Sequence, residues 1–199
     1  MKKIVLATAN QGKLKEFKKI LSDFEIISMK QAGFTGEIEE TGKTFRENAL
    51  IKAKAVAKSL NVPALADDSG LCVNALGGAP GIYSARYSKE GNDKSNRDLL
   101  LKNMQGISDR SAKFVCSLCY FEPDGKVVFA DGETQGEILT EEQGTFGFGY
   151  DPVFLPDGYS QTFGELPQEV KNRISHRAAA FRKALEFVED EMSVLDNEF

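Results

Sequence analysis

Apolar residues recur along this chain in two rhythms, one of strands and one of helices. Lys2 to Thr8 is rich in aliphatic and β-branched residues, and Asn10 stands at an N-cap position ahead of Leu14, Phe17, Lys18 and Leu21 at helical spacing. A first strand and a helix from about Gln11 to Leu21 are expected. Further on, Thr44-x-x-Glu47 reads as a capping box that opens a helix to about Leu60. Its apolar stripe is Phe45, Ala49, Ala53, Val56 and Leu60. At about 100° per residue Lys52 falls inside that stripe, whereas Lys54 and Lys58 lie away from its centre. A lysine on a buried face either snorkels to solvent or meets an anion.

The apolar run Val62 to Ala66 predicts a short buried strand, followed by Asp67-Asp68-Ser69-Gly70 as a turn and a second strand from Leu71 to Leu76. In open α/β sheets ligands bind at the carboxyl ends of strands. Alternation along a strand keeps Asp67 and Asp68 from pointing the same way, so one is expected to face a cleft and the other to brace the turn. A glycine-rich bend, Gly77 to Gly81, leads into Ile82 to Tyr87. Asn92 or Asp93 is expected to cap a helix ending near Met104. Ala112 to Phe121 and Lys126 to Asp131 flank Pro123-Asp124-Gly125, a hairpin signal, and Gln135 to Leu139 predicts one more strand. Near the end, Ser175 is the expected N-cap of a helix with Phe181, Ala184, Leu185 and Val188 on one face.

The chain has 199 residues, of which 41% are hydrophobic and 28% charged, the size and make-up of one globular domain with room for two lobes around a cleft. No apolar stretch is long enough to span a bilayer, and the run opening at Met1 ends at Ala9, too short for an export signal. A net charge of -5 argues against a broad nucleic-acid surface. Any anionic ligand then requires locally concentrated cations. Cys72, Cys116 and Cys119 form neither an even disulfide set nor a metal cluster with the single His176, which fits a reducing cytoplasm. Cys116 and Cys119, three apart in a strand, are expected to pack on opposite faces.

Several local patterns point to a metal-bound nucleotide. Thr8-x-Asn10-x-x-Lys13 places a cation in the first turn of a helix, where free N–H groups and the dipole favour phosphate. Glu37 to Glu40 and the Asp67-Asp68 pair supply the hard oxygen donors that magnesium prefers. Gly144 to Pro152 combines glycines that permit close backbone approach with Phe146, Phe148 and Tyr150, whose faces can stack on a base. The same loop is equally compatible with a barrel-like corner of core aromatics. His176 and Arg177, in the first turn of the last helix, oppose its dipole unless an anion or carbonyl oxygen lies there.

Taken together, T-x-N-x-x-K (Thr8 to Lys13), E-E-T-G (Glu39 to Gly42), E-N-A (Glu47 to Ala49), A-D-D-S-G-L (Ala66 to Leu71), L-G-G-A-P-G (Leu76 to Gly81), S-A-R-Y (Ser84 to Tyr87), F-G-Y-D-P (Phe148 to Pro152) and S-H-R (Ser175 to Arg177) resemble the inosine/xanthosine triphosphate pyrophosphatase family. The motifs occur in the family's order over nearly the whole chain. The resemblance implies an α/β fold, an elongated mixed sheet flanked by helices with two lobes around a central active-site cleft, within a single domain over residues 1–199. It implies Mg²⁺-dependent hydrolysis of dITP, ITP and XTP to the monophosphate and pyrophosphate, and a homodimer; the charge balance and the lack of a long apolar stretch lead to the expectation of no nucleic-acid or membrane partner, and the cysteines to a cytoplasmic location. Residue by residue, Asp68 matches the general base and metal-site aspartate and Glu39 the metal-site glutamate, with Glu40 the alternative. Thr8, Ala9, Asn10, Gln11, Gly12, Lys13, Ser69, Phe148, Gly149, Tyr150, Asp151, Lys171, His176 and Arg177 match substrate-binding positions, and Lys52 a lysine near the phosphates. The competing readings are a pyrophosphatase for modified or pyrimidine nucleotides and a sensor that binds a nucleotide without cleaving it.

Overall fold

The structure is a computed structural model that describes residues 2–22 and 24–195, with the side chains of residues 2 and 186–195 outside the description. The elements run β1 (Lys2–Leu6), α1 (Gln11–Ile20), β2 (Phe24–Ser28), α2 (Phe45–Leu60), β3 (Ala64–Val73), α3 (Asp93–Asn103), β4 (Ser111–Phe121), β5 (Val127–Ile138), β6 (Phe154–Pro156), α4 (Gln168–Ile174) and α5 (His176–Leu195), with short 3₁₀ turns at Asn74–Leu76, Gly81–Arg86 and Asp151–Val153. The described strands form a six-stranded sheet in the order β2-β1-β3-β4-β5-β6. It is mixed, as expected: β1 pairs in parallel with β2 and β3, and β5 pairs antiparallel with β6.

The chain divides into two compact units, the first drawn from the described residues of 1–68, 116–132 and 177–199, the second from 69–115 and 133–176. In the first unit the sheet is covered on both faces. Leu6, Leu65, Cys116 and Leu118 pack with Leu14, Phe17 and Leu21 at α1 and Ala180 of α5. Val5, Ala64, Ala66 and Cys119 pack with Ala49, Ala53, Val56 and Ala57 of α2. Cys116 and Cys119 therefore do belong to opposite layers. Phe181 and Ala184 of α5 pack against the first of these layers, while Val188 lies outside the residues whose side chains are described. The second unit has its own core, centred on Leu71, Val73, Leu100, Met104, Phe114, Tyr150, Phe154 and Phe163.

Asn10 caps α1, its side chain accepting the Lys13 N–H at 3.0 Å. Thr44 caps α2 by accepting the Glu47 N–H at 3.1 Å. Its box is completed differently from expectation, because Glu47 accepts the Lys43 N–H at 2.6 Å. A reciprocal capping box does occur at α3, between Asn92 and Ser95. Two strand expectations need correction. Asp67 and Asp68 form no turn: β3 runs unbroken through them to Val73. Likewise Gln135 to Ile138 is the far half of β5, continuous from Val127.

Candidate active site

Alternation along β3 sends its two aspartates into different layers. Asp67 follows Leu65 toward α1 and α5; Asp68 follows Ala64 and Ala66 toward α2. Both are buried, at 1% and 6% exposure, where an unpaired charge would be costly. Each has cations to meet.

Asp68 is held from α2. Lys52 Nζ donates to its Oδ1 at 2.9 Å, and Asn48 Nδ2 to its Oδ2 at 3.2 Å. Lys52 also reaches Glu40 Oε1 at 2.7 Å, so the lysine singled out by its place in an apolar stripe does meet anions. Burial is the largest influence on Asp68 and outweighs the charges of Lys52 and Lys13, so its pKa is raised and the carboxyl binds a proton more readily than an exposed aspartate. Burial also opposes the charge of Lys52, but Asp68, Asp67 and Glu40 together exceed it, and the ammonium is stabilised. The asymmetry is physical: three carboxylates act on Lys52, whereas at Asp68 the charge of Glu40 adds to the effect of burial.

Asp67 lies in a second ionic group. Its Oδ2 is 2.9 Å from Lys13 Nζ and 3.3 Å from Arg177 Nε. Arg177 Nη1 reaches Glu16 Oε2 at 2.7 Å, and both of those side chains are only 4% exposed. Burial weakens a guanidinium's hold on its proton, yet Glu16 and Asp67 reverse that here and Arg177 stays charged. Thr8 completes the preceding loop, its hydroxyl accepting the Asn10 N–H at 3.1 Å, while Ala9 and Gln11 are exposed and Gly12 half-buried.

The second unit gathers another set around Asp151. Its Oδ2 accepts the Phe148 N–H at 2.8 Å and pairs with Lys171 Nζ at 2.5 Å. Lys171 is 2% exposed, and its ammonium stands 4.8 Å from the centre of the Phe148 ring. This arrangement needs glycine at 147, where φ is +74° and a Cβ would stand 1.9 Å from Asp151 Oδ2. Gly149 donates to Asp93 at 2.8 Å and accepts from Arg97 at 2.8 Å. The loop's aromatics have separate fates. Phe146 is 59% exposed, whereas Tyr150 is a core residue whose hydroxyl donates to the Ser84 carbonyl at 2.8 Å. His176 stacks on Phe114, rings 4.8 Å apart and 12° from parallel.

Within the first unit Lys52 gathers with Asp68 and Glu40 on the α2 side of the sheet, and Lys13 and Arg177 gather with Asp67 on the side of α1 and α5; the second unit brings together Phe148, Asp151 and Lys171. Ser69 is half-buried on β3, and Glu39 is exposed while its neighbour Glu40 touches Lys52. Sequence reasoning passed over three participants. Glu16 and the ion-pairing of Asp67 have partners over a hundred residues away, which no local pattern reveals. Asn48 did leave a signal, one turn before Lys52 on the same stripe. Lys171 lies on α4, a short helix that the apolar periodicity does not predict.

Among the described residues no group of three or more His, Cys, Asp and Glu side chains is arranged to hold a metal by itself. The donor chemistry nonetheless fits magnesium, which is commonly held by one or two carboxylates plus substrate phosphates rather than by an all-protein cage. Asp68 and Glu40, joined through a single ammonium, are such a pair.

Residues 4–187 match the model of the Ham1 family. The chain is 54% identical over 180 residues to a protein of Desulfotalea psychrophila named dITP/XTP pyrophosphatase, covering 89% of this chain and 81% of that one. A Bacillus subtilis protein of the same name is 45% identical over 194 residues, covering 95% and 98%. Among solved structures, the Staphylococcus aureus Ham1 protein superposes with a TM-score of 0.85 at 43% identity, covering 96% of this chain and 100% of that one. A structure from Mycobacterium abscessus, titled nucleoside-triphosphatase / dITP/XTP pyrophosphatase, superposes at 0.74 with 40% identity over 92% and 98%.

Proposed function

This chain belongs to the Ham1 family, and from that premise we propose that it hydrolyses dITP, ITP and XTP to the monophosphate and pyrophosphate, clearing deaminated purines from the nucleotide pool. The observation that carries the chemistry is Asp68, a buried carboxylate oriented through both oxygens and given a raised proton affinity by its surroundings. To take a proton the carboxylate must be ionised, and the charges of Lys52 and Lys13 act in that direction against burial. Asp68 accepts a proton from, or orients, the water that attacks phosphorus, and pyrophosphate leaves. Lys13 and Lys52 offset the negative charge of the polyphosphate.

Mg²⁺ belongs to the same proposal: Asp68 with Glu40 or Glu39 would hold it, and when bound it supplies charge neutralisation of the triphosphate. On the resemblance, Phe148 and His176 are among the residues proposed to contact the purine. Hypoxanthine and xanthine carry an acceptor oxygen at position six where adenine carries a donor. A buried N–H placed for that oxygen is left unpaired against adenine, a loss of about 1–3 kcal/mol per group. Arg177, which reaches Glu16 and Asp67, remains one of the proposed substrate-binding residues. The homodimer rests on the resemblance and the cytoplasmic location on the cysteine usage; no helix among the described residues is long and apolar enough to cross a membrane.

The test is pyrophosphate release from dITP, ITP, XTP, dATP, dGTP, dUTP and dTTP, with and without magnesium. Preference for the first three, abolished by EDTA, is expected. Equal cleavage of dATP defeats the selectivity argument. Preference for the pyrimidine nucleotides supports the rival enzyme, and binding without release supports the sensor.

A further inference from the structure

Asn48 is fully buried on α2, and the chemistry proposed above gives it no part. Its amide is held at both ends: Nδ2 donates to Asp68 Oδ2 at 3.2 Å, and Oδ1 accepts the Gly42 N–H at 2.8 Å. One end only donates and the other only accepts, so turning the amide over would lose both bonds. One turn later Lys52 repeats the arrangement in ionic form, joining Asp68 Oδ1 at 2.9 Å to Glu40 Oε1 at 2.7 Å. Residues four apart lie over one another on a helix face. Each prong of this pair therefore connects one oxygen of Asp68 to the segment over 40–42.

Gly42 supports the same reading from the loop side. It is not among the glycines with positive φ, so its backbone conformation does not itself demand glycine. A Cβ there would stand 2.6 Å from Asn48 Oδ1 and 2.7 Å from Glu47 Cβ, too close for either. The glycine is needed because the Asn48 amide, the Asn48 backbone nitrogen and Glu47 Cβ together occupy that space.

We infer that Asn48 is a positioning residue for the reaction: it fixes the rotation of the Asp68 carboxylate and keeps the segment over 40–42 in register with it. This deepens the proposed hydrolase reading and rests on it. Without the amide, Asp68 keeps Lys52 on one oxygen but is released on the other. Misplacement of a reacting group by about 1 Å can cost about a hundredfold in rate.

The experiment compares wild type with Asn48→Leu, alike in branching though bulkier and unable to make either bond, and with Gly42→Ala, which keeps every bonding group but crowds the amide and Glu47. Two readouts are taken: steady-state kinetics on dITP, and hydrogen exchange of the backbone amide at position 42 in nucleotide-free protein in EDTA. For Asn48→Leu, kcat should fall about 10–100-fold while KM stays within about threefold. Its Gly42 amide should exchange about tenfold faster or more. Gly42→Ala should shift both readouts in the same direction by less. A folded Asn48→Leu with kcat within about twofold of wild type, a rise in KM alone, or unchanged exchange would each overturn the inference. Should Asn48→Leu not fold, unchanged kcat in Gly42→Ala overturns it. Wild type inert toward every nucleotide removes the hydrolase reading and this role with it, whereas active wild type beside unaffected variants removes only the role of Asn48.

Discussion

Replacing Arg177 by methionine is the sharpest test of how the first unit tolerates so many buried charges. Methionine preserves much of the side-chain volume but removes the guanidinium that reaches Glu16 at 2.7 Å and Asp67 at 3.3 Å. Asp67 keeps Lys13 at 2.9 Å; Glu16, 4% exposed, loses its guanidinium. Breaking a buried ion pair from one side costs about 3–5 kcal/mol, because the remaining charge stays desolvated. With a urea m-value of roughly 2 kcal/mol/M, the unfolding midpoint should fall by about 1.5–2.5 M. Glu16→Gln in the same background removes the charge left behind and should recover part of the loss, with a coupling of about 1–3 kcal/mol between the two sites. Urea titrations of wild type, both single variants and the double variant give all four values. A loss below about 1 kcal/mol for Arg177→Met, or strict additivity in the double variant, would refute the reasoning.

Two further outcomes follow from other parts of the structure. Lys52 has a pKa raised by Asp68, Asp67 and Glu40 in spite of its burial, so the folded protein holds that proton more tightly than the unfolded chain. Its contribution is fully present below the unfolded lysine value of about 10.4 and is lost as pH rises through the folded value. In EDTA, the stability gap between wild type and Lys52→Met should be steady from pH 8 to about 10 and shrink above that; a widening gap would contradict the assignment. Gly147→Ala places a Cβ 1.9 Å from Asp151 Oδ2 at a φ of +74°, whereas Gly149→Ala, at +61°, meets nothing within 4 Å. The first should lose about 2–4 kcal/mol and the second about 1 kcal/mol in thermal unfolding, and equal losses would show that Asp151 is not fixed by that glycine.

The sequence was most informative where the cause of structure is local. The caps at Asn10, Thr44 and Asn92 act within three residues, and the helices start where those residues place them. Lys52 was legible because a charge inside an apolar stripe needs an explanation along the same helix. Asp67 and Asp68 show where local reasoning fails. Aspartate is depleted in strands and favoured in turns, which predicts a break in β3. The strand continues because Lys13 and Arg177 meet one aspartate and Lys52 with Asn48 the other, and those partners come from remote segments. Alternation, which needs only the strand itself, still assigned the two carboxylates correctly to opposite faces. Glu16 gave no warning, since its partner Arg177 lies 161 residues later.

The central claim is that Asp68 performs the proton chemistry of pyrophosphate release. Its most direct measurement is the turnover of dITP by Asp68→Asn, with near-ultraviolet circular dichroism and unfolding midpoint compared with wild type. Asparagine keeps the shape of the side chain but removes the basic carboxylate, so turnover should fall by at least about 10²–10⁴-fold while the fold is retained. Hydrolysis at a near-normal rate by the folded variant would contradict the account.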